Sequence, residues 1–437
     1  MSSLVHHESL ESVSSQLDLF SVPPTQTSLD DGLFTEYRPI SILTSTGPIE
    51  FTISAENSNY IDFANSFLYV RASVTKHDGT NLEAGSEIAP ECNFLHSLWS
   101  QIDVYLNGSL VTQSNNNYPY RAYIENLMSF SQSAKTSQLS SLLWYRNTSD
   151  HFDARAAENQ GYTKRKALAA ESKEIDMMGR LHIDLSFQNR YLLNGVEVRM
   201  KLIRSKDLFC LHGNANQHTH RVSLKEVSLF VRKVKPNPAI QLAHVKALEH
   251  ATAKYPIRRV ELKTFTIPTG SLSAVKENLY LGQLPNRIIV GIVGNDAFNG
   301  VTPKSPFNFE HHSINFMTIY KDGVQIPSKP LQPDFANNKF IRSYMRLFNQ
   351  TGQYYRDTGN GISRDQFKNG CALFAFDLTP QQDSGEFGFE LIKHGNLRIE
   401  IHFAQATPRT LTVISFAEHD NILEIDKERN VAFDYTA

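Results

Sequence analysis

The strongest constraint on what this chain can fold into is a pair of alternating segments that recur at a fixed distance. Asn194–Leu202 aligns without gaps to Gly395–Phe403, at an offset of 201 residues. In the first, Val196, Val198, Met200 and Leu202 alternate with Glu197, Arg199 and Lys201. In the second, Leu397, Ile399, Ile401 and Phe403 alternate with Arg398, Glu400 and His402. A period of two sends one set of side chains to a core and the other to water, which is the signature of a half-buried β-strand.

Four further segments recur in the same order. Ile183-Asp-Leu-Ser186 resembles Phe376-Asp-Leu-Thr379, and Ile102–Gly108 resembles Met317–Gly323. Tyr120–Leu127 resembles Phe340–Leu347, each with Arg-x-Tyr and helical spacing of apolar residues: Ile124, Leu127 and Met128 against Ile341, Met345 and Phe348. Phe51-Thr-Ile53 pairs with Phe265-Thr-Ile267. Each match alone is weak, but the shared order predicts two copies of one β-fold.

Length and composition agree. A chain of 437 residues holds two domains comfortably. It is 41% hydrophobic and only 20% charged, as a globular protein is, and its 27 Phe and 17 Tyr favour strands. Seven turn dipeptides could close hairpins: Asp78-Gly79, Asn107-Gly108, Asn194-Gly195, Asn299-Gly300, Asp322-Gly323, Asn360-Gly361 and Asn369-Gly370.

The expected fold is therefore all-β: two tandem antiparallel jelly-roll β-sandwiches with short inserted helices. The predicted partition is a disordered N-terminal arm over 1–40, a first roll over 41–236, a linker with a short helix over 237–256, and a second roll over 257–437. The arm is Ser-rich and broken by Pro23-Pro24 and Asp30-Asp31-Gly32. The stretches 131–176 and 349–370 read as loops projecting from one end of each sandwich.

A net charge of −2 argues against a protein that coats nucleic acid through general basicity. Three scattered cysteines, Cys92, Cys210 and Cys371, do not describe a disulfide scaffold and suggest synthesis in a reducing compartment. No signal peptide and no membrane-length apolar run are expected. Without export, the acceptor patterns at Asn107, Asn147 and Asn349 read as chance matches.

Several local clusters carry residue types capable of chemistry. Cys210, His212, His218 and His220 form the most metal-like group, but their spacing fits no common zinc site and the expectation is no metal. His311-His312 and His6-His7 read as loop residues. The basic runs Thr163–Lys166 and Arg232–Lys235 could touch phosphates, yet read better as solvated faces. The recurring Arg121/Arg342 and Asp184/Asp377 read as polar groups serving the fold in both copies. No nucleophile elbow, phosphate loop, zinc-protease motif or dinucleotide fingerprint is present, so neither catalytic residues nor cofactors are expected.

One resemblance sharpens this. Phe94–Gly108 and Tyr118–Leu127, with Leu143-Trp-Tyr145, Asp150-His-Phe152 and Gly179–Leu185, resemble the double jelly-roll major capsid proteins of Polinton (Maverick) elements and the related adintoviruses. The likeness is clearest over 50–235. It implies a structural, hexon-like protein without enzymatic activity. It implies homotrimers of pseudo-sixfold outline that tile an icosahedral shell around double-stranded DNA. Neighbouring capsomers and a penton protein would be the partners, with weak non-specific DNA contact and no membrane span. The chain would be made in the host cytoplasm, with assembly there or in the nucleus, and would reside in the virion capsid. Two other classes remain open at this point: a minor capsid or penton protein, and a glycan-binding or carbohydrate-active β-sandwich.

Overall fold

The structure, a computed structural model, describes residues 6, 8–43, 47–214, 219–382 and 388–433. Its first roll contains β1 (Leu29–Tyr37), β2 (Ile49–Ile53), β3 (Tyr60–Lys76), β4 (Trp99–Leu106), β5 (Ser109–Leu110), β6 (Ile175–Gly179), β7 (Val198–Arg204) and β8 (His220–Pro236). Its second contains β9 (Ala253–Ile267), β10 (Ser273–Gln283), β11 (Arg287–Gly294), β12 (Ile314–Lys321), β13 (Val324–Leu331), β14 (Phe374–Asp377), β15 (His394–Phe403) and β16 (Leu411–Ile425). The longer helices are α1 (Tyr118–Ser129), α2 (Gln160–Ala169), α3 (Pro238–Leu248) and α4 (Ile341–Asn349).

The first roll closes β1-β8-β3-β6 over β2-β7-β4-β5, and the second closes β9-β16-β11-β14 over β10-β15-β12-β13. Adding eight to each strand of the first roll gives the second. This is the jelly-roll order, made twice, with antiparallel pairing throughout these sheets.

The repeat holds where hydrophobic alternation and turn chemistry act together. The strands β7 and β15 occupy equivalent central places, and Val198, Met200 and Leu202 are buried as are Leu397, Ile399, Ile401 and Phe403. The hairpins β4–β5 and β12–β13 are equivalent too. They turn through Asn107-Gly108 (φ 46° and 83°) and Asp322-Gly323 (φ 49° and 82°), the positive values a type I′ turn requires. The helices α1 and α4 occupy the same place in the order, between β5 and β6 and between β13 and β14.

Two expected pairs are not equivalent. Ile183–Ser186 leads into a 3-10 turn, Asp184–Phe187, whereas Phe376-Asp377 ends β14. The counterpart of β14 is β6, whose Asp176, Met178 and Gly179 carry little of the same pattern. Phe51–Ile53 lies in β2, but Phe265–Ile267 ends β9, the counterpart of β1. Of the remaining turn dipeptides, Asn299-Gly300 ends a short helix and Asn369-Gly370 forms a two-residue strand with Phe309–Glu310.

The arm expected over 1–40 is also corrected. Leu29–Tyr37 pairs along its length with β8, from Leu29 opposite Pro236 to Tyr37 opposite Leu229. Its burial is slight, so alternation gave no signal: an edge strand is held by backbone hydrogen bonds and needs no apolar face. Residues 8–28 remain outside the sheets, with a 3-10 turn at Ser15–Leu17. Likewise, β9 begins at Ala253, inside the stretch expected as linker. The expected loop 131–176 contains α2 and a shorter helix, Gln132–Thr136.

One continuous hydrophobic core runs through both rolls. Where they meet, Tyr123 stacks on Phe307 with ring centroids 4.3 Å apart and planes 1° from parallel. Tyr120, Trp144 and Phe309 surround the pair, and all five side chains are buried. Truncating Phe307 to Ala should lower the unfolding free energy by about 3–5 kcal/mol, because transfer and cavity terms add. Urea denaturation followed by fluorescence should show a single shifted transition; two separate transitions in the parent protein would contradict a shared core.

Candidate functional site

The sequence-nominated metal cluster does not assemble. The Cys210 thiol donates to the Ser97 carbonyl at 3.2 Å, and His212 is buried against Tyr162, ring centroids 5.2 Å apart. His220 sits at the start of β8 beside Thr219, and His218 lies outside the described residues. Among the described residues no group of three or more His, Cys, Asp or Glu side chains could hold a metal ion. His311 stacks on Phe335 at 4.0 Å and His312 lies 3.2 Å from Glu310. His6 is exposed, and His7 is outside the described residues.

The basic runs are divided by the secondary structure that carries them. In Thr163–Lys166 on α2, Arg165 is fully buried while Lys164 faces outward. Arg165 donates to the carbonyls of Pro90 (2.7 Å) and Tyr145 and to Asn147 Oδ1 (2.8 Å). Asn147, an acceptor pattern in the sequence, is thus buried inside the fold. On β8, alternation splits Arg232–Lys235: Lys233 turns inward to Glu56 and lies over the Tyr37 ring, Arg232 pairs with Asp62 at 3.6 Å, and Lys235 is exposed. Neither run presents an unbroken basic face.

Of the recurring polar residues, Arg121 and Arg342 lie on the equivalent helices α1 and α4 but have different partners, whereas Asp184 and Asp377 lie on non-equivalent elements. Arg121 donates to Asp184 at 2.6 Å and to Glu125 at 2.9 Å, and Asp184 also accepts the Val260 amide at 3.3 Å. Glu125 in turn binds His182 Nδ1 at 2.5 Å. In the second roll, Arg342 reaches the carbonyls of Pro330 and Lys329, while Asp377 accepts from Thr379. The first set lies at the seam and holds a strand of the other roll; the second set closes local turns.

The site that these contacts build is the seam between the rolls, which the sequence did not reveal. Glu91, fully buried, accepts the Ser305 hydroxyl at 3.0 Å and lies 3.7 Å from Arg165 and 3.8 Å from His212. Burial pushes its carboxyl up, against the pull of the Arg165 guanidinium. Asp153 accepts the Ser305 amide at 2.9 Å, and Gly213 donates to Thr302 at 2.8 Å. Lys135, also buried, donates to the carbonyls of Leu127 at 2.7 Å and Asn360 at 2.5 Å, one on each roll. Burial, reinforced by Arg146, brings its ammonium down to about 7. Arg146 itself reaches the Cys371 sulfur at 2.6 Å. All three cysteines are free and buried, and burial raises Cys92 to about 12. These groups hold two rolls in one orientation; they offer no activated nucleophile and no acid–base pair open to a substrate.

The outer surface is where the fold meets other molecules. A cleft of about 600 Å³ lies between the Asp150–Ala154 loop of the first roll and Glu310, His312, Asn369 and Arg409 of the second. Further round, β10 exposes Val275 and Leu281, β13 exposes Val324, and α4 exposes Ile341 and Met345. Of the apolar face predicted for α4, Ile341 and Met345 therefore point outward and Phe348 is half-buried against Tyr344, while Ser343 and Leu347 are the residues the helix buries. Each first-roll sheet is likewise left open at β1, β6, β2 and β5. Among the described residues no helix is long and apolar enough to cross a membrane.

No family model matches the chain. It is 25% identical over 425 residues to the uncharacterized protein F54H12.2 of Caenorhabditis elegans, covering 94% of this chain and 99% of that one. Among solved structures it is similar to a chain of the Sputnik virophage, determined by cryo-EM, with TM-score 0.63, 13% identity, and coverage of 100% of this chain and 95% of that one. It is similar to the faustovirus major capsid protein (TM-score 0.56, 9% identity, 93% and 92% covered). It is also similar to the mavirus major capsid protein (TM-score 0.55, 10% identity, 99% and 97% covered). At these identities the likeness is one of fold, and it spans both rolls.

Two outcomes follow from the seam. Arg165→Met should destabilise the protein by about 3–5 kcal/mol because Glu91 loses its compensating charge, and adding Glu91→Gln should restore part of that loss. Equilibrium denaturation of the single and double variants decides it. The second concerns pH. Burial first, then nearby cations or a second histidine, depresses His212, His311 and His312 to about 4 and His419 to about 3. A histidine depressed in the fold is neutral there, so its full contribution is present above the unfolded value near 6.5 and is lost as pH falls toward 4. The buried carboxyls Glu91, Asp153 and Asp184 are raised by burial and act in the opposite sense at the acid end. The melting temperature should fall between pH 7 and 5, and His212→Gln should flatten that slope; an unchanged slope in the variant contradicts the assignment.

Proposed function

We propose that this chain is a major capsid building block, a structural protein rather than an enzyme, that assembles as a homotrimer of pseudo-sixfold outline. The observation that carries this is the exact doubling of the jelly roll in strand order, over a core that fuses the copies. Two similar rolls per chain present six near-equivalent sides when three chains close around an axis, and closed cyclic assembly is the usual solution for identical subunits. The fold shared end to end with faustovirus and mavirus major capsid proteins supports the same reading.

The finer reading is of a shell around double-stranded DNA. Neighbouring capsomers and a penton protein would be its partners, and the virion capsid its location after synthesis in the host cytoplasm. Contact with DNA would be weak and non-specific. The near-neutral charge and the inward turn of Arg165 and Lys233 support this, since neither basic run is free to line a DNA surface. The placement in the Polinton/adintovirus group rests on the motifs over Phe94–Gly108 and Tyr118–Leu127. The full-length relative in a nematode fits an element carried in a cellular genome.

An obligate trimer contact of this kind should bury on the order of 2,000 Å² or more. Light scattering should report three times the 49.5 kDa chain mass, and negative-stain images should show six-sided particles. A stable monomer at micromolar concentration, at every salt tested, would overturn the proposal.

A further inference from the structure

We propose that the N-terminal segment of one copy docks into a groove beside α3 of a second copy. The inference deepens the assembly reading above and rests on it. Two exposed apolar surfaces leave the first roll at nearly the same point. Ser28 accepts the Asn237 amide at 2.9 Å, and Asn237 Nδ2 reaches Asp30 at 3.4 Å, so the segment begins where α3 begins.

Helix α3 is apolar in composition yet has no buried residue, and Leu242 and Val245 are at least half exposed. Beneath its C-terminal half lies a groove of about 440 Å³, lined by Tyr60, Leu193, Ala247, Leu248, Arg190 and Lys254 among others. The Tyr60 hydroxyl and His244 Nδ1, 2.9 Å apart, fix the helix over it. The groove lining carries two permanent cations; Lys254 is balanced by Glu424 at 3.8 Å, which leaves Arg190 as the cation the lining itself does not neutralise.

The segment complements this in both respects. Leu10, Val13, Leu17, Leu19, Phe20 and Val22 are 68% to 97% exposed. Its charges are Glu8, Glu11 and Asp18, and no Lys or Arg occurs before Arg38. Apolar area drives such contacts and opposite charge sets their specificity. A tethered pair meets at high effective concentration. In the single chain both surfaces nevertheless stay open, which leaves each for its counterpart on a neighbour. Residues 8–28 can extend roughly 70 Å at ~3.3–3.6 Å per residue, ample to reach an adjacent copy. Exchange of identical segments closes around a ring without new partners.

The test uses the full-length protein, whose native cysteines are all buried. Phe20→Cys and Ala251→Cys are made in separate, differently tagged chains, then mixed and oxidised. A disulfide-linked heterodimer that needs both variants is expected, with its yield lowered about tenfold when Arg190→Glu and Lys254→Glu reverse the groove's charge. Combining both cysteines in one chain and oxidising it should join each copy to its neighbours through disulfides, with no link inside a single chain. Linkage within that single chain would overturn docking between copies. Light scattering on the same samples separates the two proposals: oligomers without cross-linking sink the docking alone, whereas monomers throughout sink the assembly reading as well.

Discussion

Everything distinctive about this molecule depends on the burial of polar groups between its rolls. Two sandwiches joined only by a linker would sample many orientations. Here Glu91 takes its ligands from both sides, Arg165 from the first roll and Ser305 from the second. An unpaired buried carboxylate is too costly to tolerate, so any rotation that removes either partner is strongly opposed. Lys135 works in the same way through the carbonyls of Leu127 and Asn360. The aromatic stack of Tyr123 on Phe307 supplies the cohesion, and the polar groups supply the register.

How far the sequence showed this depended on the kind of physics at each position. Strands β7 and β15 were legible because each has one face in the core and one in water, and alternation records that directly. The β4–β5 and β12–β13 hairpins were legible because Asn-Gly and Asp-Gly meet a stereochemical demand. The strand β1 was not, since Leu29–Tyr37 is held by backbone pairing at an edge and carries almost no burial pattern. At β6 the alternation is present, with Ile175 and Met177 buried, but the strand's Ile-Asp-Met-Met-Gly sequence does not repeat the Phe-Ala-Phe-Asp of β14, so matching residues missed the equivalence. The seam was hidden altogether. Arg165 sits in a basic run on a polar helix, and nothing in Thr163–Lys166 says which of its cations turns inward.

The two rolls also show how a duplicated fold diverges. Backbone order is preserved strand for strand, but side-chain partnerships are not. Arg121 and Asp184 bind each other at the seam and hold the Val260 amide. Arg342, on the equivalent helix α4, and Asp377, at the end of β14, bind separate local groups instead. Only one roll can supply the inner side of an asymmetric seam, so Arg342 is released to brace the carbonyls of Lys329 and Pro330 in β13.

The same asymmetry decides what faces outward. In β2 the positions Ile49, Phe51 and Ile53 are buried, while the equivalent β10 leaves Val275 and Leu281 exposed. The helix α4 exposes Ile341 and Met345 where α1 buries Tyr120 and Ile124. A monomer gains nothing from apolar residues held on edge strands, which invite unwanted pairing. They are accounted for if these flanks are contact surfaces, and the first roll keeps Leu33 and Phe34 about half exposed on its own edge strand β1 as well.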